Sequence, residues 1–232
     1  ELWKSDGTAS STVMVKDINS GGSSSPDHLT VVGNTLYFEA DDGTNGAELW
    51  KSDGTASGTV MVKDINSGGG SSLNHLTAVG NTLFFKANGG TNGAELWKSD
   101  GTANGTVMVK DILVGVGGSS IDHLTAVGNT LYFQASDGPN GKELWKSDGT
   151  DNGTVMVKNI HPSSNSLPEH PHFTAVGNTL FFKATDGTSG SELWKSDGTV
   201  NGTVMIKDIR SGSSASSIDH ITVIGNTLYF QA

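Results

Sequence analysis

The sequence predicts an all-β fold built from five similar units, and three observations carry that expectation. The octapeptide ELWKSDGT starts at Glu1 and returns unchanged at Glu48, Glu95, Glu143 and Glu192. Its tryptophans, Trp3, Trp50, Trp97, Trp145 and Trp194, lie 47, 47, 48 and 49 residues apart, a period typical of stacked or radially arranged repeats. The 232 residues include 32 Gly and 5 Pro, with only 34% hydrophobic residues, so short apolar runs alternate with Gly-, Ser-, Asn- and Asp-rich turns.

Each unit reads as four short strands. Glu1 to Gly7 is a strand ending at Asp6-Gly7, a corner because Gly accepts positive φ and Asp hydrogen-bonds its own turn. VMVKDI (Val13 to Ile18) is β-branched enough for the next strand, and NSGGSSSPD (Asn19 to Asp27) is loop. HLTVVGN (His28 to Asn34) turns at Gly33-Asn34 into TLYFEA (Thr35 to Ala40), and DDGTNGA (Asp41 to Ala47) turns again into the second octapeptide. Four strands of roughly five residues joined by Gly-centred hairpins make one antiparallel propeller blade. Both strand faces carry apolar residues, as expected when blades stack on each other. The small-residue strand (LTVVG, LTAVG, FTAVG, ITVIG) suits the inner edge of a blade and VMVK the outer edge.

The expected architecture is therefore a five-bladed β-propeller, a single domain over residues 1–232. The chain opens in the third strand of a blade and closes at TLYFQA (Thr227 to Ala232), the second strand of a blade. The N-terminal and C-terminal half-blades are expected to pair into one composite blade and close the ring, which removes exposed sheet edges. The monomeric ring is preferred; the alternative is pairing of half-blades between chains, giving a swapped oligomer or a filament.

The formal charge of −10 opposes nucleic acid as a partner, since phosphate binding relies on clustered Lys and Arg. Ten of the 14 basic residues instead recur singly, after each Trp (Lys4, Lys51, Lys98, Lys146, Lys195) and in each VMVK or VMIK (Lys16, Lys63, Lys110, Lys158, Lys207). No apolar run approaches the roughly 18 residues of a membrane-spanning helix, so no membrane insertion is expected. There are no cysteines, which excludes disulfides and thiolate chemistry. With no initiator Met and no visible signal peptide, the chain reads as a processed product or a piece of a longer array.

The octapeptide followed by GT-VMVKDI and TAVGNTLYF resembles the bacterial ELWxxDGT repeat family, found in large, mostly extracellular multi-repeat proteins. The resemblance covers the whole chain and implies secretion and contacts with glycans or other extracellular proteins; it brings no catalytic residues. A five-bladed ring of this period is also similar in architecture to tachylectin-type lectins, which bind sugars between neighbouring blades.

Several residues are site candidates. The five Trp are possible stacking platforms for a sugar, aided by the Glu at the head of each motif, although Trp is also the bulkiest filler between twisted sheets. His28, His75, His123, His172 and His220 recur two residues before TVVG, TAVG or TVIG; they are a possible metal crown, but a structural hydrogen bond, like the His tied to Trp and Asp in WD-repeat propellers, is the favoured role. The loops DDGTNG, NGGTNG, SDGPNG and TDGTSG suggest calcium only weakly, because one has no acid at all. Loop 161–171 gathers His161, Glu169 and His170 near His172, with Pro162, Pro168 and Pro171 favouring a stiff loop. No catalytic residues are assigned, since an enzyme site needs unlike groups and the acids without counterparts, Asp151, Glu169 and Glu39, fall in turn, loop and strand-end settings. The expected function is a non-enzymatic extracellular scaffold or adhesion module, with a multivalent lectin-like binder as the alternative.

Overall fold

A computed structural model describes all residues from Glu1 to Ala232. Apart from one 3-10 turn at Ala9–Ser11, the regular structure is entirely strand. The chain divides into two compact units, Glu1–Gly118 and Ser119–Ala232, and each is described by itself.

In the first unit, β1 (Leu2–Lys4) and β2 (Val13–Lys16) form a two-stranded sheet. Two four-stranded antiparallel sheets follow. One has the order β3 (Asp27–Val32), β4 (Thr35–Asp41), β5 (Ala47–Ser52), β6 (Val60–Lys63); the other β7 (Asn74–Val79), β8 (Thr82–Asn88), β9 (Ala94–Ser99), β10 (Val107–Lys110). The second unit holds β11 (Asp122–Val127), β12 (Thr130–Ser136), β13 (Lys142–Ser147), β14 (Val155–Lys158) as one meander and β15 (Thr174–Val176), β16 (Thr179–Thr185), β17 (Ser191–Ser196), β18 (Val204–Lys207) as the next. It ends with the pair β19 (Asp219–Ile224) and β20 (Thr227–Gln231). Strand order within each sheet follows chain order, as short antiparallel connections dictate. The all-β, blade-by-blade reading is thus what the chain adopts.

The register explains why the octapeptide repeats. In each full blade the motif's Trp faces a fully buried Phe across the middle strands: Phe38 and Trp50, Phe85 and Trp97, Phe133 and Trp145, Phe182 and Trp194. Such a directly opposed aromatic pair stabilises a sheet beyond its area alone. Side chains alternate across the strand, so Phe38 and Trp50 share one face of a blade and Tyr37 and Leu49 the other. Both faces are used within each unit. Val32, Tyr37, Leu49 and Val62 of one blade pack on Leu83, Phe85, Ala87 and Trp97 of the next, and the same partition recurs between Tyr132 and Leu144 on one side and Leu180, Phe182 and Trp194 on the other. The small-residue strands line up, with the Thr30 hydroxyl donating to the Leu76 carbonyl at 3.3 Å, as their placement at the inner edge predicts.

The half-blades, β1–β2 in the first unit and β19–β20 in the second, are more exposed than the full blades. Each ends as a two-stranded sheet, with Trp3 59% and Tyr229 52% exposed, whereas Trp50, Trp145 and Trp194 are 6% exposed. In a full blade a five-residue turn, residues 42–46, ties strand two to strand three.

Candidate functional site

The octapeptide builds a corner, and each of its polar residues has a local task. Asp53 folds back so that one carboxylate oxygen accepts both the Thr55 N–H, 2.9 Å, and the Thr55 hydroxyl, 2.7 Å; Asp100 and Asp197 repeat the pattern. These hydrogen bonds, the one from the Thr side chain first, hold the Asp carboxyls below the usual range. The residue after Asp has φ of +85° to +88° at Gly54, Gly101 and Gly198, a conformation for which glycine is suited. Ser52 then bonds Thr59, oxygen to oxygen, at 2.7 Å, closing the corner onto the outer strand.

The motif Glu is the largest departure from the sequence reading, which placed it beside Trp as a possible sugar contact. Glu48, Glu95, Glu143 and Glu192 are buried completely. Their carboxylates accept the N–H of the Ile that follows the outer strand: Ile65 at 2.9 Å, Ile112 at 3.1 Å, Ile160 at 3.0 Å and Ile209 at 3.1 Å. Glu143 also accepts the Ser166 N–H and hydroxyl. Burial pushes the Glu48 and Glu143 carboxyls up, against the pull of these hydrogen bonds.

Three of the lysines that follow a motif Trp reach forward. Lys4, Lys51 and Lys146 donate to the carbonyls of Gly54, Gly101 and Gly198, one blade further on, each at 2.8 Å. The outer-strand lysines Lys16, Lys63 and Lys158 donate to the Thr59, Thr106 and Thr203 carbonyls at 2.7, 2.8 and 2.9 Å. The same ammonium groups lie 5.9 to 6.0 Å from the ring centres of Trp50, Trp97 and Trp194, within cation–π range. The indole faces of these three therefore already carry a cation, while Trp3 is open to solvent.

The histidines have a backbone reason that periodicity could not show. His28, His75, His123, His172 and His220 all have φ between +51° and +55°, and four of them sit at a register slip in the innermost pair. Each of these four takes its N–H to the preceding Asp or Asn side chain at 2.7 to 2.8 Å. His is among the few non-glycine residues enriched in this left-handed region. The expected His–Trp tether is not made: the Nε1 atoms of Trp50, Trp97, Trp145 and Trp194 are buried without a hydrogen-bond partner. Before His172 the acceptor is replaced by Pro171, and there the strand shortens to Thr174–Val176. Within either unit, no three His, Asp or Glu side chains converge in the manner a metal ion requires.

The remaining candidates resolve into loops that fold on themselves. Asp42 accepts the Thr44 and Asn45 N–H groups at 2.9 and 2.8 Å and pairs with the Asn45 amide at 2.7 Å; Asp186 does the same with Thr188 and Ser189. Of the clustered residues in loop 161–171, the Glu169 carbonyl meets the His123 ring at 3.0 Å, and the His161 ring packs over Gly187. His172 Nε2 lies 3.7 Å from an Asp219 oxygen. Glu39 reaches the Leu73 N–H at 3.1 Å. Asp151 sits in the turn before Thr154, whose N–H bonds its carbonyl at 3.3 Å.

What opens to solvent is a recess at the corner, recurring in three blades: at Lys51, Asp53 and Ser57, at Lys146, Asp148 and Asn152, and at Lys195, Asp197 and Asn201. The loops that differ most between units add a second exposed feature, Val114 and Val116, each 86% exposed.

No protein-family model matches the chain, and no curated protein matches it. Among solved structures it is similar to a puromycin hydrolase S511A mutant complexed with PGG, at 13% identity and a TM-score of 0.51, over 88% of this chain and 32% of that one. It is also similar to a puromycin-hydrolyzing peptidase of Mycobacterium tuberculosis, at 9% identity and a TM-score of 0.50, over 89% and 31% of the two chains. The chain spans about a third of the length of these proteins. Their propeller portions are what it matches, and at such identity the likeness is one of fold.

Proposed function

We propose that the chain is a non-enzymatic repeat propeller that serves as an extracellular interaction or scaffold module, consistent with its resemblance to the ELWxxDGT repeats. The observation that supports this is the use of the motif's polar groups. Glu48 holds a loop, Asp53 folds a corner and Lys51 bridges to the next blade, and their counterparts repeat these tasks rather than forming unlike acid and base pairs. Contacts with other extracellular proteins are assigned to the divergent loops, where Val114 and Val116 stand clear of the surface. Assay against a panel of glycoside, ester and peptide substrates tests this reading and is expected to show no turnover. Turnover that vanishes on Asp151→Asn or Glu169→Gln would overturn it.

The recurring corner recess favours a second reading, a multivalent glycan binder. Equivalent weak sites on one body gain avidity without any strong single contact. Here the binding groups are the Lys, Asp and Asn or Ser of the recess in place of the Trp rings, three of which already face lysines. A glycan array followed by calorimetry decides it: loss of binding on Asn152→Ala and Asn201→Ala supports the reading, and silence at millimolar glycan removes it.

A further inference from the structure

We propose that Asn104, Asn152 and Asn201 are acceptors for an N-linked sugar, attached before their corners fold. Each opens the tripeptide Asn-Gly-Thr at the same place, where the octapeptide's corner leads into the outer strand, and no other asparagine of the chain has Ser or Thr two residues on. That spacing, with any residue but Pro between, is the acceptor signal for sugar transfer to an asparagine amide. The first two copies of the corner carry Ser10 and Ser57 at this point and offer no acceptor.

The dipeptide Asn-Gly occurs six times, and the structure sorts the six into two sets. Asn45, Asn92 and Asn140 are followed by Gly and then by Ala or Lys, and they lie half-buried in the hairpin between the second and third strands of a blade. The amide nitrogen of each donates to a carboxylate, Asp42 at 2.7 Å, Asp111 at 2.6 Å and Asp137 at 2.7 Å. Asn104, Asn152 and Asn201 are exposed, and their side-chain amides bond to no other group of the protein. An amide already in solvent takes on a sugar without giving up a bond, whereas one held by a carboxylate has to lose it.

The rest of the signal is sealed. Thr106, Thr154 and Thr203 are fully buried. The Thr106 hydroxyl donates to the Thr102 carbonyl at 2.7 Å and pairs with the Ser99 hydroxyl at 2.8 Å; Thr154 and Thr203 repeat both bonds. The glycine between is packed as well. Gly105, Gly153 and Gly202 lie against the carboxylates of Asp100, Asp148 and Asp197, and each gives its N–H to a Thr hydroxyl at 2.9 Å. A transferase reads the hydroxyl together with the amide, so the folded corner shows it only half of the signal. The sugar is therefore transferred while the segment is extended; folding then hides the Thr and leaves the sugar in solvent. The donor is a sugar activated at its anomeric carbon by a phosphate ester, nucleotide- or lipid-linked. The amide nitrogen forms the new C–N bond as the C–O bond to phosphate breaks. The phosphate leaves with that bond's electron pair, and the amide gives up one proton to a base of the transferase. Transfer needs only an encounter before folding, whatever the folded protein binds, and so stands apart from the scaffold and glycan-binding readings.

The test is cell-free translation of the full-length chain with UDP-glucose and a soluble N-glycosyltransferase specific for Asn-x-Ser/Thr, against addition of the same enzyme and donor after folding. Intact mass in denaturant, where a non-covalently bound sugar is lost, counts the hexoses, and peptide fragmentation places them. Present during synthesis, the enzyme should modify Asn104, Asn152 and Asn201. Added afterwards, it should reach at least about tenfold lower occupancy, since only local opening then exposes the signal. Asn104→Gln should remove one hexose and spare the other two. Thr106→Val should do the same, and because transfer precedes folding this result does not depend on how well the variant folds. Circular dichroism of the modified chain should match that of the unmodified one. Absence of hexose at these positions in the co-translational arm, equal occupancy in the two arms, hexose on Asn45, Asn92 or Asn140, or loss of folding on modification each overturns the proposal.

Discussion

The same eight residues occur at Glu1 and at Glu48, yet they live in different surroundings. At Glu48 the octapeptide is the third strand of a full blade: Trp50 faces Phe38, Lys16 lies over its ring, and the Glu carboxylate is sealed from solvent. At Glu1 the motif has the loop hydrogen bonds to Ile18 and Ser24, but Trp3 lies open. The difference teaches that the motif builds its own corner locally but borrows its burial from neighbours. Corner hydrogen bonds are short-range and form within the motif itself; the aromatic pair joins two strands, with Phe38 standing 12 residues before Trp50.

The largest predicted contrast is at the aromatic position. Trp50→Ala should cost about 4 kcal/mol in denaturant unfolding, whereas Trp3→Ala in dilute protein should cost less than about 1 kcal/mol, the ordinary range for an exposed side chain. Equal losses would break the comparison. Next comes the carboxylate. Glu143→Ala removes the acceptor for the Ile160 and Ser166 N–H groups in a sealed site and should cost about 3 kcal/mol. Glu1→Ala, at a half-exposed position, should cost a fraction of that, measured the same way.

A smaller effect distinguishes two glycines of nearly equal φ. Gly54→Ala and Gly101→Ala both place a side chain at positive φ, at about 1 kcal/mol of strain. Only Gly101→Ala also meets the Tyr37 hydroxyl, so it should be the worse of the pair, and Tyr37→Phe should narrow the gap in a double-mutant cycle.

The smallest effect is a pH dependence. The Glu48 and Glu143 carboxyls are raised in the folded protein by burial. Their contribution is therefore fully present below the unfolded value and is lost as pH rises through the folded one. The stability of the parent chain relative to Glu48→Gln should grow as pH falls from neutrality toward 4, followed by chemical denaturation. The corner aspartates act in the opposite sense. Asp53, Asp100 and Asp197 are lowered by their Thr hydrogen bonds, so their contribution is present above the unfolded value and is lost on further acidification. A parent-to-variant difference that is flat with pH would count against a sealed, proton-sensitive Glu48.

Most of the blade was legible in the sequence because it is local. The Asp-Gly corners, the Gly-Asn hairpin and the four apolar runs each declare themselves within six or seven residues, and their order gives the meander. The site was less legible. A Glu heading an exposed-looking motif gives no sign that it will be buried, because its partners, the N–H groups of Ile65 and Asn66, are invisible in a side-chain pattern. The lysines' targets lie 43 to 52 residues away. The recurring histidines did carry a usable signal, since an Asx-His pair at a strand start suits a left-handed residue after a side-chain acceptor. The expected Trp tether obscured it.

The forward reach of the lysines gives the molecule a direction. Lys51 and Lys63 in one blade find their acceptors at Gly101 and Thr106 in the next, so a blade emerging from the ribosome lacks these anchors until its successor has been synthesised. Completion therefore lags translation by about one period, and the blade that carries Lys51 and Lys63 is locked by the one made after it. A translation-arrested chain ending at residue 90 should accordingly leave Lys51 and Lys63 reactive toward amine-modifying reagents, and extension past Thr106 should protect them.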